Sequence, residues 1–264
     1  AVADGVYTGA GNRALDFGGR SVMLMSANGA ADCVIDCEGQ GRAFVFDAGQ
    51  NGSSVLAGVT IRNGSVAGQG GGILCDNESS PTIVRCVIMR CSAAEGGGIA
   101  LLDGSSPSIR NCIVAGNAAS SSGGGIFCDS AVPSVVNCTI ADNTAPQGGG
   151  VYAAAGSCPA IANSILWRNG NDGILTAGGS NVAIDTSCLR GEWGGVGNID
   201  ADPLLTALYT LHPESPCIDA GSAIGMAWRD IDNEARWDDP RRVNDASFVD
   251  IGADEFVDVD TNEV

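Results

Sequence analysis

The sequence predicts an all-β parallel β-helix, a solenoid of about seven coils of ~26 residues closed by an irregular C-terminal cap. Three observations carry that expectation: one interval kept in several separate registers, short apolar runs between turn residues, and a glycine triplet in each repeat.

The interval comes first. Pro81, Pro107, Pro133 and Pro159 stand 26 residues apart, and so do Ile83, Ile109, Val135 and Ile161. Cys86, Cys112, Cys138 and Ser164 keep the same step, as do Asn117, Asn143 and Asn169, with Cys91 at the equivalent earlier place. Glycine triplets open at Gly70, Gly96, Gly123 and Gly148, with steps of 26, 27 and 25. Runs such as Pro81-Thr-Ile-Val and Cys86-Val-Ile are too short for helices and lack a 3.6-residue period, so they read as strands. Stacking successive coils at the ~4.8 Å strand spacing places equivalent side chains one above another. Alternation puts Cys138 and Ile140 inside and Thr139 outside. The glycine triplets supply a corner where backbones approach closely. Weaker copies begin upstream at Ser21-Val-Met-Leu, Cys33-Val-Ile, Ala43-Phe-Val-Phe and Val59-Thr-Ile, and continue downstream to about Cys188. No segment between strands is long enough for the helices of a β/α barrel.

Residues 1–191 form the predicted helix and residues 192–264 an acidic C-terminal cap or tail. The first part carries 14 acids and 9 Arg, the second 17 acids and 4 Arg. A solenoid needs such a cap, because a bare terminal coil is an open sheet edge. At the other end strand-like sequence starts almost at Ala1, with no capping helix. Two explanations stay open there: an upstream piece that is missing, or an edge covered by a partner or a second copy.

Composition narrows the chemistry. The 264 residues suffice for one large domain. Glycine is 39 of them, roughly double the usual share. All 13 basic residues are Arg, and the net charge of -18 disfavours binding to phosphate backbones. Without Lys there is no Schiff-base chemistry and no phosphate-loop lysine; the single His212 leaves one imidazole. No run approaches the ~18 apolar residues of a membrane span, which predicts a soluble chain, and no leader precedes Ala1, so any export signal has already been removed or never existed.

The repeat form S-P-x-I-x-N-C-x-I-x-x-N…G-G-G-I resembles the right-handed parallel β-helix repeat proteins secreted by bacteria, planctomycetes especially. The opening Val2-Ala-Asp-Gly-Val-Tyr-Thr-Gly and the Cys33-Val-Ile-Asp-Cys-Glu-Gly segment look like first coils of those proteins. The tail, with Asn198-Ile-Asp-Ala-Asp-Pro-Leu, Ser215-Pro-Cys-Ile-Asp-Ala-Gly and Asp250-Ile-Gly-Ala-Asp-Glu-Phe, is similar to the closing segment of the choice-of-anchor β-helix group. The resemblance implies an exported, extracellular or cell-surface location and implies no activity.

Eleven cysteines are many for a cytosolic chain and odd in number for a secreted one. Cys86, Cys112 and Cys138 read as a stacked ladder of buried thiols, with a vertical bridge as the alternative. Cys188 and Cys217, both at the cap junction, are the disulfide candidate. Cys75 and Cys128 share a register with Leu101 between them and should not bond. Cys33-x3-Cys37 lacks the partner pair a zinc site needs. Asn117, Asn143 and Asn169 read as an internal Asn ladder. Asn77, Asp103 and Asp129 share a corner register and read as an Asx ladder at the turn, or as a Ca²⁺ stack.

Calcium is the one cofactor expected, in the cap. Asp200, Asp202, Asp219, Asp230, Asp232, Asp250 and Asp254 cannot gather without cations or Arg partners; Arg229, Arg236, Arg241 and Arg242 are the alternative to Ca²⁺. Asp258-Val-Asp-Thr-Asn262 starts like a calcium loop but stops short of one. No catalytic residue is assigned: Arg85, Arg90 and Arg110 lie in regular coils, Asp238-Asp239 is an adjacent acid pair in the cap, and His212 has no nucleophile nearby in sequence. The expectation is a secreted, non-catalytic solenoid, a structural or adhesive element that contacts polysaccharide or cell-surface matrix and could self-associate end to end into filaments. The alternative is a Ca²⁺-dependent lyase or glycoside hydrolase acting on acidic polysaccharide. A carbohydrate-binding role for Trp167, Trp193, Trp228 and Trp237 is a third reading, weaker than cap packing.

Overall fold

The computed structural model describes residues 1–170, 172–191, 193–223, 229–236 and 249–255. Its strands form three parallel walls. The first wall stacks eight: Gly5–Tyr7, Cys33–Asp36, Thr60–Arg62, Val87–Met89, Ile113–Ala115, Thr139–Ala141, Ile165–Trp167 and Cys188–Leu189. The second stacks seven, from Leu15–Asp16 to Ile174–Thr176, and the third seven, from Met23–Met25 to Ala183–Asp185. Each strand pairs with its counterpart one coil away, never with its sequence neighbour, which makes the chain an all-β solenoid of about seven coils. The one helical element among the described residues is the short 3-10 turn Ala10–Asn12.

The apolar alternation fills the interior. Ile83, Ile109, Val135 and Ile161 are 2% exposed or less, and Ile88, Ile99, Leu101, Ile126 and Ile140 are equally enclosed. Cys75, Leu101 and Cys128 occupy successive rungs of one column, so Leu101 separates the two thiols. At the corner into the first wall the chain turns on one left-handed residue per coil: Gly58, Arg85, Asn111, Asn137, Asn163 and Thr186 all have φ between 48° and 64°. Asparagine suits that conformation because its short polar side chain offsets part of the steric cost.

Strands Ser92–Glu95 and Ala118–Ser122 pair with a register shift after Ala93. The extra residue makes the offset 27 from there through Leu101↔Cys128, before Ser108↔Ser134 restores 26. The Asn77–Asp103–Asp129 column therefore does not stack as its 26-residue spacing suggests. Glu78 N–H donates to Asp103 O and Gly104 N–H to Ser130 O, so Asp103 lies level with Asn77 and Ser130, and Asp129 pairs with Ala154.

Among the described residues of the C-terminal segment, its beginning closes the last coil and the rest does not act as an end cap. Ile199 bridges Cys188, and Asn198 Oδ1 accepts the Ser187 N–H at 3.0 Å. The described residues 203–223, 229–236 and 249–255 lie along the outer face of the first wall as a strap. The reason is that this outer face is apolar: Ile113 (5% exposed), Ala115, Ala141, Ile165 and Trp167 all point out of the coil. Leu211, Cys217, Ile218 and Ile251 cover Ile165 and Trp167; Ile231 and Ala253 cover Ile113 and Ala115. Thr139 points outward as expected but is 1% exposed, its Oγ1 accepting the Ala253 N–H at 3.1 Å. From Ile113–Ala115 to Ile165–Trp167 this wall is buried on both faces.

Candidate functional site

Three internal columns and one buried contact hold the polar chemistry. The Asn ladder is complete. Asn117 Oδ1 accepts the Cys91 N–H, Asn143 Oδ1 accepts both the N–H and Nδ2–H of Asn117, and Asn169 Oδ1 does the same for Asn143, all at 2.9–3.1 Å. Their Nδ2 groups donate to Ile88, Val114 and Ile140 carbonyls at 2.7–3.0 Å. Each carboxamide thus satisfies a corner amide that the interior would otherwise leave unpaired.

Cys86, Cys112 and Cys138 form the thiol column, each fully enclosed. Their Sγ atoms sit 3.1–3.6 Å from carbonyl oxygens of their own rung and the one below. Burial, with the neighbouring thiols Cys138 and Cys86, pushes the Cys112 thiol well up. Burial likewise raises Cys128 and Cys91 to about 12 and Cys37 to about 11. The column is a packing element of buried cysteines. Cys188 and Cys217, the disulfide candidate, are free thiols in hydrogen-bonding contact under the strap, and no other pair is bridged. Cys188 Sγ also lies 3.2 Å from Ala201 O, and its contact, followed by burial, pushes the Cys217 thiol up. Cys158 is exposed. A thiol reagent applied to the folded protein is expected to modify one cysteine rapidly, Cys158, and all eleven after denaturation without reductant. A denatured count two short would place a disulfide in the molecule instead.

A column that the spacing also carried holds the strap. Asn111, Asn137 and Asn163 precede the column positions Cys112, Cys138 and Ser164, and all three are 1% exposed or less. Asn163 is clamped to the strap through Ser222 N–H and Ser222 O at 2.8 Å each. Asn111 Nδ2 donates to Arg229 O, and Asn111 Oδ1 accepts from Arg236 Nη2 at 3.3 Å. Asn137, between them, has no partner for either side-chain atom. Arg236 is the centre of the contact: its Nη1 meets Glu255 Oε2 at 2.5 Å, with the two side chains 1% and 0% exposed.

The seven aspartates proposed for calcium divide into two places. Asp200 Oδ2 and Asp202 Oδ1 accept the Gly191 and Leu204 N–H groups near the last coil. Asp219, Asp230, Asp250 and Asp254 are buried in the strap, with Asp232 exposed beside them. Asp219 N–H donates to Asp250 Oδ1 at 2.7 Å, and Asp230 Oδ1 accepts from Asp232 and Glu234 N–H groups. Among the described residues no three His, Cys, Asp or Glu side chains converge closely enough to hold an ion. Arg229 donates to Asn233 O, and Arg236 pairs with Glu255. Arg241, Arg242, Asp238-Asp239, Asp258–Asn262, Trp228 and Trp237 lie outside the described residues.

Of the remaining candidates, Arg110 Nε donates to Ser108 Oγ at 2.9 Å, and His212 Nδ1 accepts the Glu214 N–H. Trp167 is covered by the strap, with the Arg190 guanidinium 5.5 Å from its ring centre. Beside it a cleft of about 280 Å³ is lined by Arg168, Asn169, Asp172, Arg190 and Trp193. Arg168 is held there by a two-point contact with Asp142 at 2.7 and 2.9 Å.

No curated protein and no solved structure matches the chain. A family model described as "right handed beta helix region" matches residues 10–189, ending where the first wall ends. The three walls, the internal ladders and that match agree: the chain belongs to the right-handed β-helix family.

Proposed function

We propose that the protein is a non-catalytic extracellular rod, a structural or adhesive element of the cell surface or its matrix. The observation that carries this reading is that the Asn ladder, the Asn clamps and the Arg236–Glu255 pair are engaged within the rod itself. The Asn ladder and the Asn111 and Asn163 clamps join coil to coil and strap to wall, and the Arg236–Glu255 pair joins two pieces of the strap. The tail motifs support an exported location. The cleft of Arg168, Asn169, Arg190 and Trp193 offers an aromatic ring and donor groups of the kind that hold polysaccharide.

The reading is tested on neutral and acidic polysaccharides, with calcium present and with a chelator. Retention of the intact chain on polysaccharide or cell-wall material, without shortening of the polymer, is expected. Calcium-dependent cleavage would replace the rod with a lyase or hydrolase.

Lengthwise association is part of the same reading. At one end the first strands of all three walls are edge strands, with Val6 58%, Met23 62% and Met25 38% exposed. Such an edge takes another strand, whether from an upstream segment of the chain or from a second copy. Head-to-tail contact between copies does not close on itself and generates filaments.

A further inference from the structure

One arginine stands apart from the rest of its column. At the corner into the first wall, Arg85 takes the left-handed position that Asn111, Asn137 and Asn163 hold in later coils. Asn111 and Asn163 turn their carboxamides onto the strap. Arg85 has the same conformation, φ 52°, without the short polar side chain that suits Asn to it. Its side chain is half-buried. Among the described residues its guanidinium enters no ion pair and no hydrogen bond.

That guanidinium lines a cleft of about 480 Å³ between the coils and the turn of the strap. Asp232 lines the strap side, exposed and likewise in no ion pair among the described residues. Met25 and Ala27 add apolar surface. The coil-side rim is fixed by Ser26, whose Oγ donates to Gly29 O at 2.9 Å and accepts the Asn28 and Gly29 N–H groups at 3.3 and 3.0 Å. Two opposite charges thus share one cleft without meeting each other.

We propose that this cleft binds a short peptide as its zwitterion, with the carboxylate on Arg85 and the ammonium on Asp232. An anion alone would meet the repulsion of a chain of net charge -18 and leave Asp232 without a counter-charge. A cation alone would leave Arg85 without one. A ligand that carries both charges and no net charge answers both. Because Arg85 and Asp232 form no direct pair, the ligand has to reach from one to the other. That favours the separated ends of a di- or tripeptide over the adjacent charges of a single amino acid. The volume falls within the ~300–1,000 Å³ of small-molecule pockets. The guanidinium fork matches a carboxylate with two parallel N–H···O bonds, and Met25 and Ala27 are placed to meet the peptide's side chains.

NMR titration of the full chain with L-alanyl-L-alanine tests this. The Gly29, Gly58 and Asn233 amides report the cleft, and the Ile99 and Ser134 amides report coils outside it. Saturable shifts confined to the cleft amides are expected. The same dipeptide with its amine acetylated, or with its carboxylate amidated, should bind at least about tenfold more weakly. Asp232→Asn, a change at an exposed position, should weaken the dipeptide by a similar factor and leave the acetylated form unaffected. Arg85→Gln should weaken the dipeptide and leave the amidated form unaffected; should that variant not fold, the Asp232→Asn comparison decides alone. No saturable shift, equal binding of the three peptides, or a variant that weakens all three alike overturns the site.

Discussion

Gly97→Ala is expected to destabilise the rod by more than about 3 kcal/mol, read as a lowered urea midpoint. A Cβ at this position would lie 2.5 Å from Ala118 O, 2.6 Å from Ala118 C and 2.6 Å from Gly124 O. All three are backbone atoms of the next rung, held by that rung's own hydrogen bonds, so no side-chain rotation relieves the overlap. Gly116→Ala is the comparison. Its φ is +63° and nothing lies within 4 Å, so only the left-handed conformation is penalised, at about 1–2 kcal/mol. Equal losses at the two sites would contradict the tight corner as the reason for the glycine triplets.

The second large effect belongs to Arg236. Replacing it with Ala leaves the Glu255 carboxylate buried without its cation, a loss of about 3–5 kcal/mol. The loss falls on the strap, because the rungs of the coils depend mainly on their neighbours. Limited proteolysis should then cut between residues 203 and 255 and leave the coils intact. The double variant Arg236→Met, Glu255→Leu should recover much of the resistance, since an apolar pair removes both charges together. Cleavage within the coils in Arg236→Ala would instead make the strap a foundation of the whole fold.

The coils were largely legible in the sequence because one interval governed them. A stacked column places the same demand on every rung, so Cys86, Cys112 and Cys138, or Asn117, Asn143 and Asn169, repeat where the interior repeats. The corner at Asp129 escaped that logic because the shift beside Ala93 alters the offset for one stretch only. Asn111, Asn137 and Asn163 kept the period in plain view, yet the roles of Asn111 and Asn163 depend on Ser222, Arg229 and Arg236, which have no repeat to align them. The course of the strap was hidden for a related reason. Its sequence announces charge, whereas its path is set by Ile231, Ile251 and Ala253 meeting Ile113 and Ile165 more than sixty residues away. A hint was present in the outward positions of the first wall: Ile113 and Ile165 are unusual choices for a face meant for water. Cys188 and Cys217 show both sides of the matter, since the sequence brought the right two residues together and the structure leaves them as thiols.

The account of a rod that extends by end-to-end contact is tested most directly by sedimentation velocity across a concentration series, with electron microscopy of the same samples. Growth into unbranched filaments one molecule wide is predicted, together with its loss in Met23→Asp, a change at an exposed edge residue that should leave the melting temperature of the coils nearly unchanged. A single sedimenting species at every concentration, with only isolated particles on the grid, would contradict it.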